Sequence, residues 1–173
     1  MSYVAADYFS LVPEGTNKWE LLKGLFKMSP APKDRHQKIS AELFGCVWSF
    51  FRRKKCQVRE APYDVVLGES VVQPDICVIC DVEKIHEHGC VGIPDFIVEI
   101  LSKTTEKLDR REKFDLYEEF GLKEYWMVDT DKNFVEKWIL KNGELEFKKR
   151  YEETEKITSE IFPQLEIDLT EVF

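Results

Sequence analysis

No stretch of this sequence is apolar for long enough to span a bilayer. The first ten residues, MSYVAADYFS, carry neither a basic n-region nor a long apolar h-region, so no signal peptide is expected. Positive charge is in deficit: 25 Lys and Arg stand against 33 Asp and Glu, a formal net charge of −8. That counts against binding nucleic acid by bulk electrostatics, but not against gripping phosphates in one local groove. Cysteines are few and odd in number, five in all, scattered through apolar segments. Such usage favours reduced thiols in a cytoplasm over a disulfide framework. Repeats and low-complexity segments are lacking too. What remains, 173 residues with 43% apolar and 34% charged content, fits one globular domain over residues 1–173 with a sizeable core.

Read in order, residues 3–11 suit a short helix. Trp19 to Met28 reads as two strands around Lys23-Gly24, a hairpin. Asp34 is a candidate N-cap for a helix running to about Arg53, with Ile39, Leu43, Cys46, Val47 and Phe50 at helical spacing and His36 on the same stripe. His36 reads as a structural hydrogen-bonding residue or as a site residue. The basic run Arg52, Arg53, Lys54 and Lys55 suits a solvated helix end. Tyr63–Leu67 and Val71–Cys80, separated by Gly68-Glu69-Ser70, read as strands of a meander. Pro74 interrupts regular pairing inside the second run, and Asp75 follows it. Residues 81–94 read as a polar loop. Glu124–Val128 is a further strand, and Asn142-Gly143 marks a hairpin between Phe134–Leu140 and Glu144–Tyr151.

The stretch from Pro94 to Gly121 organises the rest. Phe96 to Leu101 is an apolar run with one carboxylate, Glu99, inside it. A lone carboxylate in such a run needs a reason, because burying it unpaired costs several kcal/mol; a metal ion is one, and a strand-end position open to solvent is another. The helix that follows ends at Gly121 as a C′ glycine. At 100° per residue from Leu108, Leu116, Phe120 and Tyr117 fall at about 80°, 120° and 180° and define its apolar face. Asp109, at about 100°, and Lys113, at about 140°, lie within that face. A snorkelling lysine paired with Asp109 is the plain reading of this helix alone.

Two constellations carry chemistry. Asp75 and Glu99, on adjacent strands, can converge on a hard divalent cation such as Mg²⁺, with the Ile100 carbonyl as a further ligand and Lys113 to hold the attacking water or stabilise phosphoryl charge. Spacing alone does not establish that triple. The second set is Cys77, Cys80, His86, His88 and Cys90, soft ligands for zinc. The odd offset puts Cys77 and Cys80 on opposite faces of a strand, where they read as small core residues, leaving Cys80, His86, His88 and Cys90 as a zinc alternative.

The chain resembles the Uma-type family of restriction-endonuclease-like proteins, a branch of the PD-(D/E)XK nuclease superfamily. The resemblance runs through WELLKG, MSPAPKDRHQKIS, APYDVVL, VVQPDICVI, PDFIVEILSKTT, DRREKFDLYEEFGLKEYWMVD and IFPQLEIDL, in that order. It implies an α/β (mixed-sheet α+β) fold whose core runs helix, three strands, helix, strand, with added N- and C-terminal hairpins. It matches Asp75 to the Asp of the PD motif and Glu99 to the acidic residue of the second half-motif. The lysine of the simplest motif, two residues after the Glu, is replaced by Leu101. The family's lysine from the following helix then matches Lys113, with Lys103 as rival. His36 and Glu20 match positions that the family often shares, and with Asp109 they are expected to support the ligands from behind.

The resemblance implies a Mg²⁺- or Mn²⁺-dependent endonuclease, with one or two ions, that hydrolyses phosphodiester bonds of nucleic acid, DNA foremost. The cysteine usage and the lack of a signal peptide or membrane-spanning run lead to the expectation of a cytoplasmic protein away from membranes. A homodimer is expected by analogy with cutters of both strands. The alternative is a catalytically silent binding module that keeps the fold, a reading the acidic net charge favours.

Overall fold

A computed structural model describes residues 2–13, 18–29, 31–101 and 109–173, with Asp109 by its backbone alone. Lys103 and the side chain of Asp109 therefore lie outside the described residues.

The chain opens with a short helix, α1 (Ala5–Leu11), and a hairpin of β1 (Lys18–Leu22) and β2 (Leu25–Ser29). Lys23 and Gly24 both take positive φ, 50° and 75°, the type I′ geometry that matches strand twist in a two-residue turn. Helix α2 (Asp34–Phe51) follows. Its N-cap is Lys33, so Asp34, expected at the cap, is instead the acid of the first turn, where the helix dipole favours it. Ile39, Leu43, Val47 and Phe51 repeat every four residues and are buried, each worth about 1.5–3 kcal/mol of transfer from water.

Two six-stranded sheets carry the rest. The first has the order β2-β1-β5-β4-β8-β7, with β4 (Val65–Leu67), β5 (Ser70–Val72), β7 (Ile85–His86) and β8 (Gly89–Val91). The second has the order β12-β11-β10-β9-β6-β3, with β3 (Gln57–Glu60), β6 (Ile76–Ile79), β9 (Phe96–Leu101), β10 (Glu124–Asp129), β11 (Phe134–Lys141) and β12 (Glu144–Glu152). Within it β3, β6 and β9 are antiparallel, and β9 and β10 are parallel neighbours. A parallel pair needs a crossover, and helix α3 (Phe114–Glu119) lies in the connection. The order α2, three antiparallel strands, α3 and a fourth strand is the core that the resemblance implied.

One face of the second sheet packs on α2 and on a C-terminal hairpin of β13 (Lys156–Thr158) and β14 (Glu166–Asp168), through Val58, Ile76, Val98, Ile100, Trp126 and Ile167. Its other face packs on the first sheet and α3, through Cys77, Ile97, Tyr125, Met127 and Tyr117.

Several expectations are corrected. Val71–Cys80 is not one strand: the chain leaves the first sheet at Val72 and enters the second at Ile76, crossing through Gln73-Pro74-Asp75. Pro74, without an N–H for a ladder, stands where the chain changes sheets. Strand β3 carries no sequence signal, because four residues beside a basic run give too little alternation. The polar loop 81–94 contains the β7–β8 hairpin. The thiols are not all free: Cys56 and Cys80, directly opposite one another by the β3–β6 register, form a disulfide. That bond removes Cys80 from the zinc set. Cys77 is a buried core residue of β6, while the Cys90 thiol is 3.3 Å from the Gly92 carbonyl. His86 is exposed, and the His88 ring lies against Phe9. Among the described residues no three His, Cys, Asp or Glu side chains form a ligand group.

Candidate active site

The sheet change brings distant charges together. Continuing the β6–β9 register one residue past Ile76↔Val98 sets Asp75 opposite Glu99, so both side chains point to the same face of the sheet. The Ile100 N–H donates to Asp75 Oδ2 at 2.7 Å, a bond that fixes the carboxylate near the C-terminal end of β9. Strand β1 supplies two more charges. Lys18 and Glu20, two residues apart on a strand, share a face. Lys18 Nζ is 3.3 Å from Asp75 Oδ1, and the Gln73 N–H donates to Glu20 Oε1 at 2.8 Å.

Lys113 joins the two sheets. Its side chain is 1% exposed, with Nζ 2.8 Å from Glu20 Oε1 and 2.9 Å from Glu99 Oε1. Lys113 is thus a buried cation between carboxylates of two strands rather than a snorkelling lysine, while its expected pairing with Asp109 lies outside the described residues. The wheel aimed Lys113 inward, but the local backbone is a π-helical turn, Asp109–Lys113, rather than regular α-helix. Lys27–Glu112 and Arg110–Glu136 ion pairs, both 2.6 Å, tie this turn to β2 and β11. The Tyr117 hydroxyl, one α-turn beyond Lys113, donates to Glu99 Oε1 at 2.7 Å.

His36, in the first turn of α2, places Nε2 3.5 Å from Asp75 Oδ2. Burial pushes the Asp75 carboxyl up, but the Lys18 ammonium, His36 and Lys113 outweigh it and hold the group well below the usual carboxylate range. For Glu20 burial again acts upward, and Lys113 and Lys18 prevail and lower it. Lys18 loses basicity to burial and regains more from Asp75, ending above its ordinary value. Burial, then the Glu99 charge, raises Tyr117 far enough to keep it a phenol and a donor. The result is ionised Asp75 and Glu20 carboxylates and cationic Lys18 within one water-poor strand end.

This donor chemistry suits a hard divalent ion. Mg²⁺ and Mn²⁺ take oxygen ligands, and Mg²⁺ commonly binds through one or two carboxylates while keeping several waters. Asp75 and Glu99, opposite one another by the β6–β9 register, offer such a pair of carboxylates.

Of the residues expected at the site, Asp75, Glu99, Lys113, Glu20 and His36 are brought together. Lys18, Gln73 and Tyr117 were missed. Lys18 lies one residue outside the hairpin as read, although its i, i+2 relation to Glu20 carried the signal. Tyr117 stood on the same helix face as Lys113 but was counted as core.

The fold is nuclease-like. A solved structure described as "a putative nuclease belonging to DUF820", from Anabaena variabilis, superposes with a TM-score of 0.78 at 21% sequence identity, covering 96% of both chains. The family model described as "Putative restriction endonuclease" (Uma2) matches residues 5–170, and the chain belongs to that family. An uncharacterized protein of Synechocystis sp., sll1609, is 23% identical over 168 residues, covering 83% of this chain and 91% of the relative. Among the described residues no helix is long and apolar enough to cross a membrane.

Proposed function

We propose that the protein is a metal-dependent nuclease that hydrolyses phosphodiester bonds of nucleic acid, with DNA as the favoured substrate. The observation that carries this reading is the burial of Glu20, Asp75, Glu99 and Lys113 together at one strand end. Charges so placed cost several kcal/mol each to desolvate, and an apolar set of equal volume would be at least as stable. Their presence together in a buried cluster points to chemistry.

Asp75, Glu99 and the Ile100 carbonyl would hold Mg²⁺ or Mn²⁺. When bound, the ion supplies a water of lowered pKa and neutralises charge on the scissile phosphate. The chain's own groups prepare the site for it. The Ile100 N–H orients Asp75, and Lys18 keeps that carboxylate ionised. Lys113 and Tyr117 fix Glu99 through one oxygen. Lys113 also presents a fixed positive charge where phosphoryl charge grows, which needs no reorganisation during the reaction. Glu20, held by the Gln73 amide, keeps Lys113 in place.

The test is Mn²⁺ binding by calorimetry and cleavage of DNA in Mn²⁺, for the wild type beside Asp75→Asn and Glu99→Gln. Both variants are expected to fold, to lose metal binding and to lose cleavage by at least about a hundredfold. Full activity in either variant would remove these residues from the site. Wild-type protein that binds no Mn²⁺ would favour the silent binding module.

A further inference from the structure

Among the described residues the candidate site holds two lysines, and they differ in kind. Lys113 is enclosed, 1% exposed, with carboxylates from β1 and β9 at 2.8 and 2.9 Å. Lys18 is at the rim, its side chain 21% exposed, with a longer contact of 3.3 Å to Asp75 Oδ1. Lys113 reaches the site through a short turn tied at both flanks by 2.6 Å ion pairs. Lys18 stands at the first position of β1, with a four-carbon stem able to turn outward.

The charge balance assigns them different tasks. Among the described residues, counting carboxylates and ammoniums alone, Glu20, Asp75 and Glu99 face two ammoniums, a formal surplus of one negative charge, with the His36 ring 3.5 Å from Asp75. A phosphodiester, itself an anion, is repelled by that set. A divalent ion reverses the sign, and it needs the same Asp75 carboxylate that Lys18 contacts. An ammonium and a divalent ion are alternative counter-charges for one carboxylate.

We propose that Lys18 is the substrate-contacting cation of the site: it competes with the divalent ion for Asp75 and, displaced by the ion, turns to a phosphate oxygen of the bound nucleic acid. This rests on the nuclease reading above and adds a residue and a role to it. It makes metal loading and phosphate binding cooperative, because the ion releases the cation that the phosphate receives. Lys113, clamped between its carboxylates, stays in place throughout.

The role predicts effects of opposite sign from one substitution. Removing a competitor tightens metal binding, whereas removing a lysine that merely fastens β1 to Asp75 loosens it or leaves it alone. Lys18→Met is therefore expected to bind Mn²⁺ about three- to tenfold more tightly than wild type by calorimetry. It is also expected to bind a fluorescein-labelled DNA duplex more weakly in Ca²⁺, with the log–log salt slope smaller by about one. Lys18→Arg, which keeps the charge, should retain the wild-type slope. Mn²⁺ affinity that is unchanged or weaker in Lys18→Met overturns the competition. A salt slope equal to wild type in Lys18→Met, or arginine behaving like methionine, overturns the phosphate contact. A Lys18→Met chain that fails to fold makes the lysine structural and overturns both. These failures leave the nuclease reading standing as long as wild type binds Mn²⁺ and Asp75→Asn does not. Wild type without Mn²⁺ binding overturns the two together.

Discussion

Two buried carboxylate clusters among the described residues are built on different principles. At one, Glu124 of β10 is held mostly by neutral donors. Its Oε2 accepts from the Ser159 hydroxyl at 2.7 Å and from the Glu160 and Ile161 amides at 2.9 and 3.0 Å, and the Trp126 indole donates to Oε1 at 2.7 Å. Nearby, Lys137 donates to the Thr158 carbonyl and pairs with Glu160. At the other, Asp75 and Glu20 are held chiefly by cations from other elements. The titration of the two differs in sign. Burial dominates at Glu124 and raises its carboxyl, while Lys18 and Lys113 override burial at Asp75 and Glu20 and lower theirs. A carboxylate wrapped in backbone amides has no ligand it can exchange, so it fastens the 159–161 turn to the sheet. A carboxylate held by side-chain cations can trade one cation for another, which is what a metal site requires.

The contrast is open to attack at three points. The largest effect is expected at Lys113. Lys113→Met leaves Glu20 and Glu99 buried without their shared cation and should cost about 3–5 kcal/mol in urea unfolding. Adding Glu20→Gln should recover part of the loss, because the two residues act as a pair. A cost below about 1 kcal/mol would mean the cluster is far better hydrated than its burial indicates.

Next comes Glu124→Gln, which replaces an acceptor by a donor facing the Ser159 hydroxyl and two amides. A loss of about 1–3 kcal/mol is expected, with Mn²⁺ binding left at the wild-type value. A change in metal affinity here would erase the distinction between a fastening cluster and a functional one.

The smallest effect is that of Asp75→Asn on stability, about 1 kcal/mol at pH 7, and its pH dependence carries the sign. The folded carboxyl of Asp75 is lowered below its unfolded value of about 4. Its contribution is therefore fully present above that value and lost as pH falls through the folded one. The gap between wild type and Asp75→Asn should close in acid. Glu124 runs the other way: its contribution is present below the unfolded value and declines as pH rises through the raised folded one. Unfolding curves at pH 7 and pH 3 for the two variants would separate these cases, and a gap that widens in acid for Asp75→Asn would reverse the argument.

Much of the fold was legible because its signals are local. Lys23-Gly24 and Asn142-Gly143 each specify a two-residue turn through positive φ, and both hairpins are present. The helical spacing of Ile39, Leu43 and Val47 specifies a helix with one buried stripe, though Phe51 rather than the expected Phe50 completes it and Cys46 is only half-buried, and Gly121, at φ 78°, ends α3. The inward aim of Lys113 was also a local matter, since helical spacing alone puts it beside Leu116 and Tyr117.

What depended on position in space was out of reach of such signals. A run of Val and Ile reads the same whether it stays in one sheet or changes sheets at Pro74, because each half is buried in either case. Cys56 and Cys80 are 24 residues apart, and only the β3–β6 register brings them face to face. The partners of Lys113 follow the same logic. Periodicity could turn the lysine inward, but the carboxylates it meets come from β1 and β9, and packing of the two sheets sets Glu20 and Glu99 on either side of one ammonium. Local sequence therefore determined the elements and the faces they bury, since turn geometry and periodicity act over a few residues. Tertiary structure decided which charges meet, because that depends on the placement of strands that no short window of sequence contains.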